Sequence, residues 1–139
     1  CMSWSHFPPP ERVARQILGA IKAGPAVATL VVTGGGDGIG RAVAERMARA
    51  GYTVTIIDRD ARRAAEVCEA IRAAGGAATR IVADLAQPAG VALTLQQLAA
   101  LPPADLVVYS AGISAVGRFG DGEVARYQAV LDVNLRAPI

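Results

Sequence analysis

The residues with the clearest chemical potential are the run Thr33-Gly34-Gly35-Gly36-Asp37-Gly38-Ile39-Gly40. It falls where a short apolar stretch, 28–33, gives way to a helical pattern at 39–50. A strand that ends where a helix begins aims unpaired backbone N–H groups and the positive end of a helix dipole at one spot. Such a spot suits a phosphate. In this reading Gly34 permits the tight turn, Gly38 the close approach of a pyrophosphate, and Gly40 the contact of helix with strand. The spacing is Gly-x-x-x-Gly-x-Gly, not the commoner Gly-x-Gly-x-x-Gly. A glycine cluster in an Ala- and Gly-rich chain is by itself also compatible with a plain surface turn. Asp58 argues for more. It ends the next apolar stretch, 18 residues after Gly40, where a carboxylate accepts hydrogen bonds from an adenosine ribose. The alternative for Asp58 is a cap on the following helix, and the two roles are compatible. Strand, turn, helix and strand-end acid together point to a dinucleotide site. Its candidate contacts here are Gly34, Gly36, Asp37, Gly38, Ile39, Gly40, Asp58 and Arg59.

These residues need a frame to hold them. Apolar runs at 28–33, 53–58, 78–83 and 105–109 read as strands, the first two as buried ones. Helical patterns occupy 39–50, 60–74 and 88 to about 100, followed by one from a possible Asp121 cap to about Leu135. Gly51, Gly75-Gly76 and Pro102-Pro103 punctuate them. Alternation of strands with helices of this length predicts βαβ units and a parallel sheet. Ahead of this lies an irregular lead-in, 1–10, and a helix at 11–23 carrying Val13, Ile17 and Ile21 at three-to-four spacing. The division is thus a lead-in and helix at 1–27 and a nucleotide-binding unit at 28–139.

Composition excludes several other classes. Hydrophobic residues make up 53% of the chain and charged residues 19%, the opposite of a disordered segment. Arg outnumbers Lys 13 to 1, but the Arg residues interleave with Asp and Glu, which is a solvated surface and not a nucleic-acid stripe. No apolar run reaches the ~18 residues of a membrane span, and residues 1–10 lack the charged-then-apolar order of a secretory signal. Two Cys and one His make neither a disulfide framework nor a metal site. Cytoplasm is the expected compartment.

On these motifs residues 28–135 resemble the N-terminal half of a short-chain dehydrogenase/reductase. Thr33-Gly34-x-x-x-Gly38-Ile39-Gly40 is similar to that family's glycine motif. Asp84-Leu85 resembles its Asp-Val/Leu pair, which lies against the adenine. Ser110-Ala111-Gly112 stands in the place of its Asn-Ala-Gly, with Ser for the usual Asn. Val133-Asn134-Leu135 resembles its helix segment, which puts Asn134 at the structural and catalytic Asn. Each has a plainer reading: Asp84 capping a turn, Ser110 and Gly112 forming one, Asn134 ending a helix before Pro138, and Tyr109 filling core. The resemblance implies a Rossmann-type doubly wound α/β fold, cut short after the fourth strand and following helix. It also implies hydride transfer between a nicotinamide and an alcohol or carbonyl substrate, and a homo-oligomer.

NAD is favoured over NADP, because a 2′-phosphate at Asp58 would meet a like charge. Asp37 points the same way, whereas Arg59 is a counter-signal. In the family a Tyr-x-x-x-Lys pair and a Ser move the proton. This chain has no such pair: its only Lys is Lys22, and Leu131 follows Tyr127 at that spacing. The expectation is a fragment that holds the dinucleotide without turning over alone. The alternative is a non-catalytic binding module or sensor, or a subunit completed by a partner. Residues 9–21 are also similar to a Pro-Glu-x-Val-Ala-x-x-Ile helix found late in the family; an added N-terminal helix is the competing reading.

Overall fold

The computed structural model describes residues 9–19, 28–117 and 124–138. In chain order the elements are α1 (Pro10–Gly19), β1 (Thr29–Thr33), α2 (Gly38–Arg49), β2 (Thr53–Asp58) and α3 (Ala61–Ala73). They continue with β3 (Ala77–Val82), α4 (Pro88–Ala99), β4 (Leu106–Tyr109) and α5 (Val124–Leu131), which runs into a π-helical turn, Asp132–Arg136. The four strands form one parallel sheet in the order β3-β2-β1-β4. Residues 20–23 of the expected first helix and the Asp121 cap lie outside the described residues.

The central strands are mostly apolar because both of their faces are covered, with Thr33 and Thr55 buried among them. On one face Leu30, Val32, Val54 and Ile56 meet Val43, Ala44 and Met47 of α2 and Ala64, Val67 and Cys68 of α3. On the other, Val31, Ile57 and Ile81 pack with Leu85 and with Val91 and Leu98 of α4. The second face is therefore covered as well. Small side chains let the helices sit close, and at such density a lost methylene is felt. Leu30→Ala, at a position with no exposure, should cost about 2–5 kcal/mol. Cys68 belongs to this core, and burial pushes its thiol pKa up.

The outer strands differ from the central ones. β3 buries only Ala78 and Ile81, as an edge strand should. β4 is the opposite edge, and Val107 is 60% exposed there. The base of β4 is tied to β1 by a small polar knot. Asp105 Oδ2 accepts from the Thr29 amide at 2.7 Å and from its hydroxyl at 3.0 Å. These bonds hold the Asp105 carboxyl below the usual range.

Candidate nucleotide-binding site

The C-terminal ends of β1, β2, β3 and β4 converge on a cavity of about 340 Å³. The glycine turn forms one wall. Gly34 turns the chain at φ +65°, and its N–H donates to the Ile57 carbonyl at 2.7 Å. A Cβ on Gly34 would lie 2.8 Å from the Ala111 backbone, so turn and β4 loop touch main chain to main chain. Thr33 braces the same contact, its Oγ1 accepting from the Ala111 amide at 3.2 Å. Gly40 faces the Gly34 carbonyl, leaving no room for a side chain. Gly38, at φ +54°, has nothing within 4 Å of its would-be Cβ. Asp37 caps α2, with Oδ1 accepting from the Gly38 amide at 2.8 Å. The amides of Ile39 and Gly40 follow in the first turn, where no helical carbonyl precedes them.

At the end of β2, Asp58 is half-buried and doubly fixed. Oδ2 accepts from Gly36 N at 2.8 Å and Oδ1 from Asp60 N at 3.0 Å. A Cβ on Gly36 would run into Asp58 Oδ2 at 2.8 Å, so this glycine lets the carboxylate reach the turn. Asp58 does not cap α3. Asp60 does, accepting from the amides of Arg62 and Arg63. The Arg63 amide above all holds the Asp60 carboxyl below its ordinary pKa, against the opposing effect of desolvation.

The remaining walls come from β3 and β4. Asp84 and Leu85 line the cavity. Asp84 Oδ1 accepts from the Ala86 amide at 3.0 Å, so the turn-forming reading of Asp84 is true without excluding a second use. Ser110, Ala111 and Gly112 line it from β4, beside Ile39 and Arg59. Asn134 does not end a helix. It sits within the π-helical turn, and its side chain grips the β4 loop: Oδ1 accepts from Ile113 N at 3.0 Å, and Nδ2 donates to Ile113 O at 2.9 Å. Tyr109 is half-buried and more than filler. Its hydroxyl donates to the Val133 carbonyl at 2.9 Å, and desolvation raises its pKa.

The cavity thus brings together Gly34, Asp37, Gly38, Ile39, Asp58, Arg59, Asp84, Leu85, Ser110, Ala111 and Gly112. Gly36, Gly40 and Asn134 stand behind its walls as packing and hydrogen-bonding supports. Sequence reasoning missed Arg63, whose guanidinium pairs with Asp37 at 2.7 Å, and Gly90, which lets α4 press against the Asp84 carbonyl. A signal for Gly90 existed: a glycine in the first turn after Pro88 has no other evident use. A second cavity, about 310 Å³, lies between the sheet and α4 and has no charged residue in its lining. The first cavity carries charged and hydrogen-bonding groups suited to a polar ligand, and the second does not. No group of three or more His, Cys, Asp or Glu among the described residues could hold a metal ion. No described helix is long and apolar enough to cross a membrane.

Comparison with known proteins finds relatives of this chain. A short chain dehydrogenase of Pseudocercospora fijiensis is 35% identical over 132 residues, 93% of this chain and 40% of the relative. A short chain dehydrogenase from Burkholderia cenocepacia, solved in complex with NADP, is 38% identical with a TM-score of 0.72. It covers 79% of this chain, which spans 46% of it. A short-chain dehydrogenase from Sphingobium yanoikuyae in complex with NADPH is 28% identical, with a TM-score of 0.74 and coverages of 79% and 44%. The chain therefore spans less than half the length of these relatives. The family model for short chain dehydrogenase matches residues 28–139, and the chain belongs to that family.

Proposed function

We propose that the cavity binds a nicotinamide dinucleotide, NAD in preference to NADP, for hydride transfer between the nicotinamide and an alcohol or carbonyl substrate. In this proposal residues 28–139 are the nucleotide-binding unit and 1–27 the lead-in. The observation that carries it is the empty space over Gly38, at the start of a capped helix and beside a fixed carboxylate. The donor set fits the ligand. Ile39 and Gly40 offer amides to a pyrophosphate at the positive end of α2. Asp58 already holds two backbone amides, and each oxygen keeps a lone pair for a ribose hydroxyl. Asp84 and Leu85 form the wall for the adenine.

When bound, the nicotinamide supplies the site that gives or takes a hydride. The chain's own residues bind and orient it. The Ser110–Gly112 loop forms the far wall, and Asn134 positions that loop through Ile113. The catalytic role that the family resemblance implies for Asn134 belongs to this proposal. The NADP and NADPH in solved relatives belong to those proteins; the preference for NAD here rests on the Asp58 carboxylate. Exposed Val124, Tyr127, Leu131 and Leu135 on and after α5 support self-association, which sedimentation would read.

Fluorescence titration with NADH tests the binding. Saturable binding, tighter for NADH than NADPH, is the expected result, and no saturation by either refutes the reading.

A further inference from the structure

We propose that Tyr109 is a positioning residue: its hydroxyl satisfies a carbonyl that Pro138 leaves without a backbone donor, and so locks the π-helical turn that carries one wall of the cavity. Its bearing on a bound nucleotide rests on the dinucleotide reading above.

The register of the turn is fixed at its end. The Ala137 amide donates to the Asp132 carbonyl, five residues back, at 2.8 Å, as in a π-helix and not an α-helix. The next bond of that ladder would run from residue 138 to the Val133 carbonyl. Residue 138 is proline and has no N–H to give. In an α-helical register the Ala137 amide would serve Val133, but it is already engaged one residue earlier. Val133 is 6% exposed, so its carbonyl is costly to leave unpaired. The Tyr109 hydroxyl, arriving from the end of β4, donates to it at 2.9 Å. Tyr109 is itself held from outside the turn. It pairs in register with Thr33 of β1 and packs against the cluster of Val31, Ile57 and Leu85.

The turn in its π register shapes the cavity. Val133 lines it, and so does Ile113. Asn134, the next residue, holds both backbone groups of Ile113, at 3.0 and 2.9 Å. A slip of one residue would rotate Asn134 by about 100° and part it from Ile113. The Tyr109 hydroxyl therefore acts on the β4 loop through Val133 and then Asn134.

Amide exchange, read by NMR on the full chain, tests this without a ligand. Tyr109→Phe removes the hydroxyl and keeps the ring. We expect the Ile113 amide to exchange about tenfold faster and NADH to bind several-fold more weakly. Pro138→Ala supplies an N–H facing the Val133 carbonyl, which has two lone pairs. Alone it should leave Ile113 exchange nearly unchanged. Added to Tyr109→Phe it should recover most of the lost protection. A ring that only filled space would not give that non-additivity, and the effect of Pro138→Ala on the unfolded chain is common to both backgrounds. Unchanged Ile113 exchange in Tyr109→Phe overturns the proposal, as does a double variant as loose as the single one. Should Tyr109→Phe fold poorly, Pro138→Ala alone decides: the amide it creates at 138 should be protected, and exchange at the free-chain rate overturns the register assigned to the turn. NADH affinity unaltered beside a loosened Ile113 overturns the link to the nucleotide wall. If the unaltered chain binds no NADH while the exchange pattern is as expected, the dinucleotide reading fails and the positioning of Asn134 by Tyr109 stands.

Discussion

Two glycines of one turn should respond to the same substitution in opposite ways. Gly34 and Gly38 both have positive φ, +65° and +54°. Alanine at either pays a left-handed backbone cost of about 1–2 kcal/mol, partly offset by about 0.4–1 kcal/mol from a stiffer unfolded chain. Their surroundings then separate them. At Gly38 the new methyl meets nothing within 4 Å, so the loss of stability should stay near 1 kcal/mol. At Gly34 the methyl lies 2.8 Å from Cα and N of Ala111. Those are main-chain atoms in a braced loop, and they yield only if the β4 loop moves away from β1. Overpacking of this kind adds about 1–3 kcal/mol, for a total of about 2–4. Urea unfolding of both variants reads the difference as a change of midpoint at constant slope. NADH titration should rank them differently. Gly38→Ala, and more strongly Gly38→Val, puts bulk where the pyrophosphate would approach and should weaken NADH at least tenfold, about 1.4 kcal/mol. Equal stability losses for the two alanine variants would refute the packing argument. Unchanged NADH affinity in Gly38→Val would refute the placement of the pyrophosphate.

Further expectations follow from single contacts. Asp58→Ala removes the acceptor of the Gly36 and Asp60 amides; it should weaken NAD and relax discrimination against NADP, and a titration showing both nucleotides unaffected removes Asp58 from the ribose. Asn134→Ala deletes two hydrogen bonds to the Ile113 backbone and should cost about 1 kcal/mol, read most directly as faster amide exchange at Ile113; unaltered protection there would contradict the clamp. The Asp60 and Asp105 carboxyls are held below their ordinary pKa chiefly by the backbone amides of Arg63 and Thr29. Their stabilisation is fully present above the unfolded value of about 3.9 and fades as pH falls through the lower folded values. Asp105→Asn should therefore flatten the fall of the urea midpoint in acid, and an identical pH profile would show that the β1–β4 knot does not titrate.

Much of this architecture was legible along the chain, for reasons that individual residues explain. β1 and β2 announce themselves because burial on both faces favours runs of Leu, Val and Ile, interrupted only by Thr until Asp58. Gly34, Gly38 and Asp58 were readable because their constraints are local: a turn, an open approach, a strand end. What was hidden depends on distance in sequence. Arg63 meets Asp37 across 26 residues, and Asn134 meets Ile113 across 21, and nothing in either residue type names its partner. Asp58 and Asp60 were interchangeable as caps, since two carboxylates two residues apart at a strand–helix junction suit either task. Only the backbone direction after β2 assigns Asp60 to the amides of α3. The π-helical turn at Asp132–Arg136 has no sequence signature of its own, and the Tyr109 hydroxyl that accompanies it was concealed by the residue's apolar surroundings.

The position of the cavity follows from strand order. The chain lays β2 and then β3 on one side of β1, with α2 and α3 on the same face, and then crosses back to place β4 on the other side of β1. Neighbouring connections leave β1 in opposite directions, so the loops after β1 and β4 diverge and open a crevice at their carboxyl ends. The glycine turn fills one lip and the Ser110–Gly112 loop the other, touching through Gly34 and Ala111 at the base. The walls are rigid where their main chains meet. They are adjustable only at the rim, where Asp37, Arg59 and Arg63 are charged and exposed. Under the proposed function that division separates the tasks: the main-chain base holds the dinucleotide, and the charged groups beside it set the preference for NAD.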